Sequence, residues 1–151
     1  GSQMLKATPL GGKEEFSGSL PESKDLYKPI GGKINGTATV YNAEVGQTAA
    51  NPNETGFSTQ IEFGDIAVGN RSEYNKAKSK FLKSGEDTYI LIPELRKIKT
   101  PYGYGIFRVR DTTNIRYKNT NRIDVFIPVK GDENDKIVRK TPNITYQYIE
   151  I

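Results

Sequence analysis

The sequence predicts a mainly β protein: a small closed barrel of six strands with one short surface helix. Short runs of β-branched and aromatic residues recur along the chain, each four to six residues long and most of them followed closely by Gly, Pro or Asn. Only one stretch carries a helical repeat. Many short strands with a single helix fit a barrel, not an alternating βαβ layer.

Taken in order, residues 1–34 read as a tail. Gly1-Ser2-Gln3-Met4 looks like a cloning scar. Residues 5–33 hold Pro9, Pro21, Pro29 and two Gly pairs without a sustained period. The barrel domain takes residues 35–151. Thr37–Tyr41 is its first strand. The polar stretch Asn42–Thr55, with Gly46, Pro52 and three Asn, is a long loop of the kind that often carries function. Gln60–Phe63 alternates polar and apolar residues, and Asp65–Val68 is a short strand closed by Gly69-Asn70.

Arg71–Lys83 is the helix. Tyr74, Ala77, Lys78, Phe81 and Leu82 follow the i, i+3, i+4, i+7, i+8 spacing. Ser72 is the expected N-cap and Ser84-Gly85 the stop. The apolar face is thin, which places the helix on the barrel surface. Thr88–Ile92 is a buried-type strand ended by Pro93, and Ile98 belongs to a further short one. A turn at Tyr102–Gly105 feeds the strand Ile106–Arg110. Asp111–Asn121 is a polar loop, Ile123–Ile127 a strand ended by Pro128, Gly131–Asp135 an acidic loop, and Ile144–Ile149 the last strand.

Composition narrows the chemistry. The chain has no Cys and no His. That removes disulfides, thiol nucleophiles, His-dependent triads and the usual zinc sites. Catalysis would have to come from Asp, Glu, Lys, Tyr, Ser or Thr, and neither metal nor cofactor is expected. The net charge is +4, from 22 Lys+Arg against 18 Asp+Glu. The basic residues are dispersed, so nucleic acid is not expected as a partner, whereas a mild positive balance suits an anionic glycan. Mean hydropathy is −0.64, and no apolar run approaches the roughly 20 residues that span a bilayer.

The sharpest feature is a pair of carboxylates bracketing the polar loop. Asp111 ends one strand. Asp124 interrupts the apolar run Ile123-x-Val125-Phe126-Ile127 and by alternation shares a face with Phe126, opposite Val125. If the two strands are neighbours, the side chains can approach, and burial beside a like charge favours a protonated carboxyl, as a general acid needs. The alternative is that Asp124 faces solvent or pairs with Arg122 or Arg110, and that Asp111 only begins a turn.

Val109-Arg110-Asp111-Thr112, the loop, and then Asn121-Arg122-Ile123-Asp124-Val125-Phe126 resemble the signature of the three-aspartate domain, D-T-G-G-A-I-K-G-N-R-I-D-V-Y-F. That domain is a double-psi β-barrel of bacterial cell-wall enzymes, shared by the membrane-bound lytic transglycosylase A family and by muralytic proteins of Gram-positive bacteria. Thr37–Ala43 resembles the opening A-T-A-Y-T-A strand, Gly46-Gln47-Thr48 a G-K-T, Ile66-Ala67-Val68 the I-A-V-D strand, and Arg139–Ile149 the closing strand. The resemblance runs from Gly36 to the C-terminus.

It implies a six-stranded double-psi barrel and cleavage of the bond between N-acetylmuramic acid and N-acetylglucosamine to a 1,6-anhydro product. It makes Asp124 the acid/base and Asp111 its orienting neighbour. Tyr41, Asn70, Thr112 and Asn121 are then the expected sugar contacts, peptidoglycan strands the partner, and a secreted, wall-associated or phage-tail setting the location. The departures are specific. Gly69-Asn70 stands where the first aspartate belongs, Gln47 replaces the Lys of G-K-T, and Thr113-Asn114 replaces the G-G. The loop to Asp124 is two residues longer, and the helix is inserted. These losses favour the competing expectation, a non-catalytic glycan-binding or assembly module on the same barrel.

Overall fold

The structure, a computed structural model, describes residues 27–43 and 54–151. The first strand, β1 (Lys28–Pro29), lies in the stretch expected to be tail and pairs with the last strand, β9 (Asn143–Glu150). The others are β2 (Ile34–Tyr41), β3 (Asp65–Val68), β4 (Tyr89–Leu91), β5 (Lys99–Thr100), β6 (Gly103–Tyr104), β7 (Ile106–Thr112) and β8 (Arg122–Phe126). Two helices accompany them, α1 (Arg71–Ser84) and α2 (Glu133–Arg139).

Strands β9, β2, β8, β3, β7 and β4 pair in that order, and β4 pairs back onto β9. The sheet therefore closes into a six-stranded mixed barrel, as expected. Two pairs are parallel, β2 with β8 and β3 with β7, and the remainder antiparallel. Closure satisfies the backbone of each barrel strand and leaves no open edge within the ring.

Alternation sorts the side chains. Ala38, Ile123 and Val68 lie side by side across β2, β8 and β3, and Val40, Val125 and Ile66 form the next row. Ile66, Val68, Ile123 and Val125 are fully buried and join Ile90, Phe107, Val109 and Tyr146 in one core. Burying each such aliphatic side chain stabilises the fold by about 1.5–3 kcal/mol. The opposite, outer face of the same strands carries Thr37, Thr39 and Tyr41 on β2, and Arg122, Asp124 and Phe126 on β8.

Helix α1 starts one residue before the expected cap region. Asn70, not Ser72, is the N-cap: its side-chain oxygen accepts from the Glu73 N–H (3.0 Å). Gly85 ends the helix in the left-handed conformation, φ 74°, and its N–H donates to the Phe81 carbonyl (2.8 Å). Tyr74 and Ala77 pack into the core beside Phe57, while Leu82 faces solvent. The Glu73 carboxylate accepts from the hydroxyls of Tyr146 (3.2 Å) and Tyr148 (2.7 Å), which ties the first turn to β9.

One further expectation needs correction, and the alternating stretch Gln60–Phe63 finds its place. The Gly131–Asp135 loop is largely the start of a second helix. Asp132 caps it by accepting from the Asp135 N–H (2.8 Å), with Glu133 and Asp135 in the first turn and Arg139 in the last. Gln60–Phe63 is not a strand; Gln60 makes one isolated bridge with Glu54. The readings placed on residues 1–26 and on Gly46-Gln47-Thr48 lie outside the described residues.

Candidate functional site

Strand register assembles the site. Asp124 on β8 pairs with Thr39 of β2 on one side and with Ala67 of β3 on the other, and Ala67 in turn pairs with Asp111 of β7. Thr39, Asp124, Ala67 and Asp111 thus form one row on the outer face. The strands bearing the two carboxylates are not neighbours, as the sequence reading supposed; β3 runs between them, and only the small side chain of Ala67 separates the acids.

Asp111 reaches this face through a β-bulge. The β3–β7 register shifts between Ile66 and Ala67, so that Ile66 faces Val109 but Ala67 faces Asp111, and Arg110 is the extra residue. Strict alternation from Phe107 and Val109 would have turned Asp111 inward; the bulge re-aims it. Its Oδ1 accepts from the backbone N–H groups of Thr112 (2.8 Å) and Gly56 (3.0 Å). Burial raises its pKa above the ordinary aspartate value, against the pull of those two bonds, and the nearby Asp124 charge adds to the rise.

Asp124 is half-buried, its side chain 18% exposed. Its Oδ1 accepts from the Thr39 hydroxyl and from Arg122 Nε (2.8 Å). The N-R-I-D spacing produces this pair, because residues two apart on a strand share a face. The Arg122 guanidinium also lies over the Tyr117 ring, 3.8 Å from its centroid.

The other expected site residues divide. Asn121 is exposed, donates from Nδ2 to the Asn35 carbonyl (3.1 Å), and borders an open groove of about 450 Å³. That groove is lined by Asn35, Gly36, Thr37, Tyr117, Thr120, Asn121 and Arg122. Asn70 is spent on the helix cap. Thr112 donates to the Val68 carbonyl (2.7 Å) and accepts from Arg71 Nη1, which stitches β7 to β3 and α1. Tyr41 packs on Phe126, ring centroids 5.4 Å apart, and its hydroxyl is buried without a hydrogen-bond partner among the described residues. Burial pushes that phenol well above its ordinary pKa, and the charges of Asp111, Asp65 and Asp124 push the same way. Tyr41 follows Thr39 on the same face of β2, half-buried as a residue with its hydroxyl turned inward.

Gly69 has a physical reason to lack a side chain. A Cβ there would stand 2.7 Å from Thr120 Oγ1 and 3.0 Å from the carbonyl oxygens of Thr120 and Tyr117. Tyr117 and Thr120 of the following loop pack over this glycine. Thr39 and Tyr117 were missed by sequence reasoning, although signals existed. Thr37, Thr39 and Tyr41 alternate with apolar Ala38 and Val40, and Tyr117 sits between Arg116 and Lys118.

A second acid–arginine assembly occupies the same side of the barrel. Asp65, fully buried, takes Arg108 through two contacts (Nε to Oδ1 2.7 Å, Nη2 to Oδ2 3.2 Å). Arg108 also approaches Asp87, which holds Arg110 (2.9 and 3.2 Å). Arg110 stacks over Phe81, 4.5 Å from its centroid.

No family model, curated protein or solved structure matches the chain. Among the described residues no three acid, His or Cys side chains group as a metal site, and no helix is long and apolar enough to cross a membrane.

Proposed function

We propose that the barrel cleaves peptidoglycan glycan strands as a lytic transglycosylase, with Asp124 as the acid/base. The observation that carries this reading is the outer row Thr39–Asp124–Ala67–Asp111. It brings the two aspartates of the resemblance to one face, and Arg122, the partner of Asp124, lines an open groove together with Thr37, Thr120 and Asn121. Among the described residues, Asp124 Oδ2 has no hydrogen-bond partner, so one oxygen of a partly exposed carboxyl is open to a ligand.

In this reaction the Asp124 carboxyl gives its proton to the glycosidic oxygen as the bond to C1 breaks. The resulting carboxylate takes the proton of the C6 hydroxyl, whose oxygen closes onto C1. One group serves both steps and no water is consumed, unlike the two-carboxylate scheme of hydrolytic glycosidases. Thr39 fixes the rotamer of Asp124. Asp111 is the neighbouring acid across Ala67. A wall-associated, secreted or phage-tail setting goes with this substrate.

A second reading is a glycan-binding module without turnover. The Arg122 pair favours it, because Nε already holds one oxygen of Asp124 (2.8 Å) in a charge-assisted hydrogen bond. The covered Gly69 position favours it too.

Digestion of purified peptidoglycan by the wild-type protein and by Asp124→Asn, with products read by mass spectrometry, separates the two. The proposal expects anhydro-muropeptides from the wild type and none from the variant, with strand binding retained in both. Retention of strands without any product supports the binding module. Products that carry a free reducing end in place of the anhydro ring would mean hydrolysis.

A further inference from the structure

The groove beside Asp124 has one charged lining residue, Arg122, and its chemistry points to a particular kind of ligand. From Thr112 to Ile123 the chain carries Arg116, Lys118 and Arg122 and no acid. A guanidinium has two edges that can each grip a carboxylate through a pair of N–H groups. Arg122 gives its Nε side to Asp124. Among the described residues, its Nη1 and Nη2 make no hydrogen bond. The plane is held by stacking on Tyr117, so the second edge is set before any ligand arrives. Around it stand the Thr37 hydroxyl, the Thr120 hydroxyl, which donates to the Tyr117 carbonyl (2.6 Å), and the Asn121 amide, whose Nδ2 donates to the Asn35 carbonyl (3.1 Å); their oxygens are acceptors suited to sugar hydroxyls and acetamido N–H groups.

We propose that this groove is the subsite for a carboxylate-bearing sugar, its carboxylate held by the outer edge of Arg122 and its ring lying along Thr37, Thr120 and Asn121. The inference rests on the reading of the barrel as a glycan-strand protein and names which part of the strand it holds. In peptidoglycan the fitting group is the lactyl carboxylate of N-acetylmuramic acid. Where a stem peptide is attached, that carboxyl is an uncharged amide and the Arg122 contact is lost. The groove therefore selects stretches already freed of peptide, and an amide-hydrolysing reaction would supply them.

The test is titration of the isotope-labelled full chain with N-acetylmuramic acid and with N-acetylglucosamine, the same sugar without the lactyl group, followed by NMR. The expected result is displacement of the Thr37, Thr120 and Asn121 amide signals by N-acetylmuramic acid, with affinity for N-acetylglucosamine about ten-fold weaker or less. In Arg122→Gln the discrimination should vanish. In Arg122→Lys, which keeps the charge but not the planar fork, it should shrink. Peptide-stripped strands should be retained by the wild type better than intact ones.

Equal affinity for the two sugars in the wild type overturns the subsite, as does discrimination that survives in a folded Arg122→Gln. The wild-type comparison stands even if a variant fails to fold. Anhydro products together with equal sugar affinities would sink the subsite and leave the catalytic reading intact. Selective binding with no cleavage of any strand would do the reverse.

Discussion

Asp65 and Asp124 are both strand aspartates paired with an arginine outside the barrel core, and their surroundings are opposite. Asp65 is sealed: its side chain is 1% exposed, Arg108 grips both oxygens, and the Glu62 N–H donates to Oδ2 (2.9 Å). Its partner is shared with Asp87, and Asp87 with Arg110, so the assembly runs as a chain of charges along the barrel. Among the described residues Asp124 has one engaged oxygen, and its partner Arg122 is 27% exposed and lines a groove. The same two functional groups thus do different work. A buried pair with both oxygens engaged holds strands together and is shut off from a ligand. A half-open pair costs less to break and keeps an oxygen and a guanidinium edge available.

The largest effect should come from breaking the sealed assembly. Asp65→Ala leaves Arg108 with its main counter-charge gone in a buried place, a defect worth about 3–5 kcal/mol. Urea denaturation should show that loss. A change below 1 kcal/mol would mean the network is not the clamp its geometry suggests.

Next comes the loop packed over Gly69. Gly69→Ala drives a Cβ into Thr120 Oγ1 and two backbone carbonyls. Overpacking of this kind typically costs about 1–3 kcal/mol. Because the clash falls on residues 117–120, the NMR signals of Tyr117 and Thr120 should move in this variant while those around Asp65 stay in place. A variant as stable as wild type, with unshifted loop signals, would show that the loop yields freely.

A third carboxylate sharpens the contrast through pH. Burial alone would raise the pKa of Asp135, but hydrogen bonds from Arg139, Asn42 and the Gly131 N–H outweigh it and hold it below the ordinary value. Its contribution is therefore present in full above the unfolded pKa of about 3.9 and is lost as pH falls through the lower folded value. Asp135→Asn should lower Tm at neutral pH, and the gap to wild type should close on acidification below about pH 4. A gap that stays constant from pH 7 to pH 2 would contradict the assigned hydrogen bonds.

How much of this could be read beforehand depends on whether local chemistry leaves a mark. The face of Asp124 was legible, because Ile123 and Val125 fill the core and alternation leaves no choice for the residue between them. Barrel closure followed from the number and brevity of the strands. Asp111 shares the outer row with Asp124 by a route that the sequence does not mark. Arg110, which no turn residue flags, is the bulge that turns Asp111 outward, and the intervening β3 is a matter of long-range pairing. Asn70 looked like a site residue because the resemblance expects an aspartate at the neighbouring Gly69, yet an Asn immediately before a helix is also cap chemistry, and its side chain caps the helix. Helix α2 was hidden by its own first turn: Asp132, Glu133 and Asp135 read as loop when taken as charges, and as a helix start when Arg139 is counted with them. Tyr117 is a tertiary feature, since its meaning comes from Arg122 lying across it.

The smallest effect on stability should come from opening the Asp124 pair. Pairs this exposed contribute about 0–1 kcal/mol, and asparagine keeps an acceptor for Thr39. Asp124→Asn should accordingly melt within a few degrees of wild type while abolishing anhydro product, a combination that Asp65→Ala cannot mimic because its loss of activity would track its loss of fold. Running both variants at a temperature where Asp65→Ala remains folded makes the contrast decisive. Product loss in Asp65→Ala alone would mean that the acid site of the barrel is the sealed one, with Asp124 only a surface ion pair. Product loss in Asp124→Asn alone, at undiminished stability, is what a half-open carboxylate beside a guanidinium edge requires if its free oxygen is the working atom.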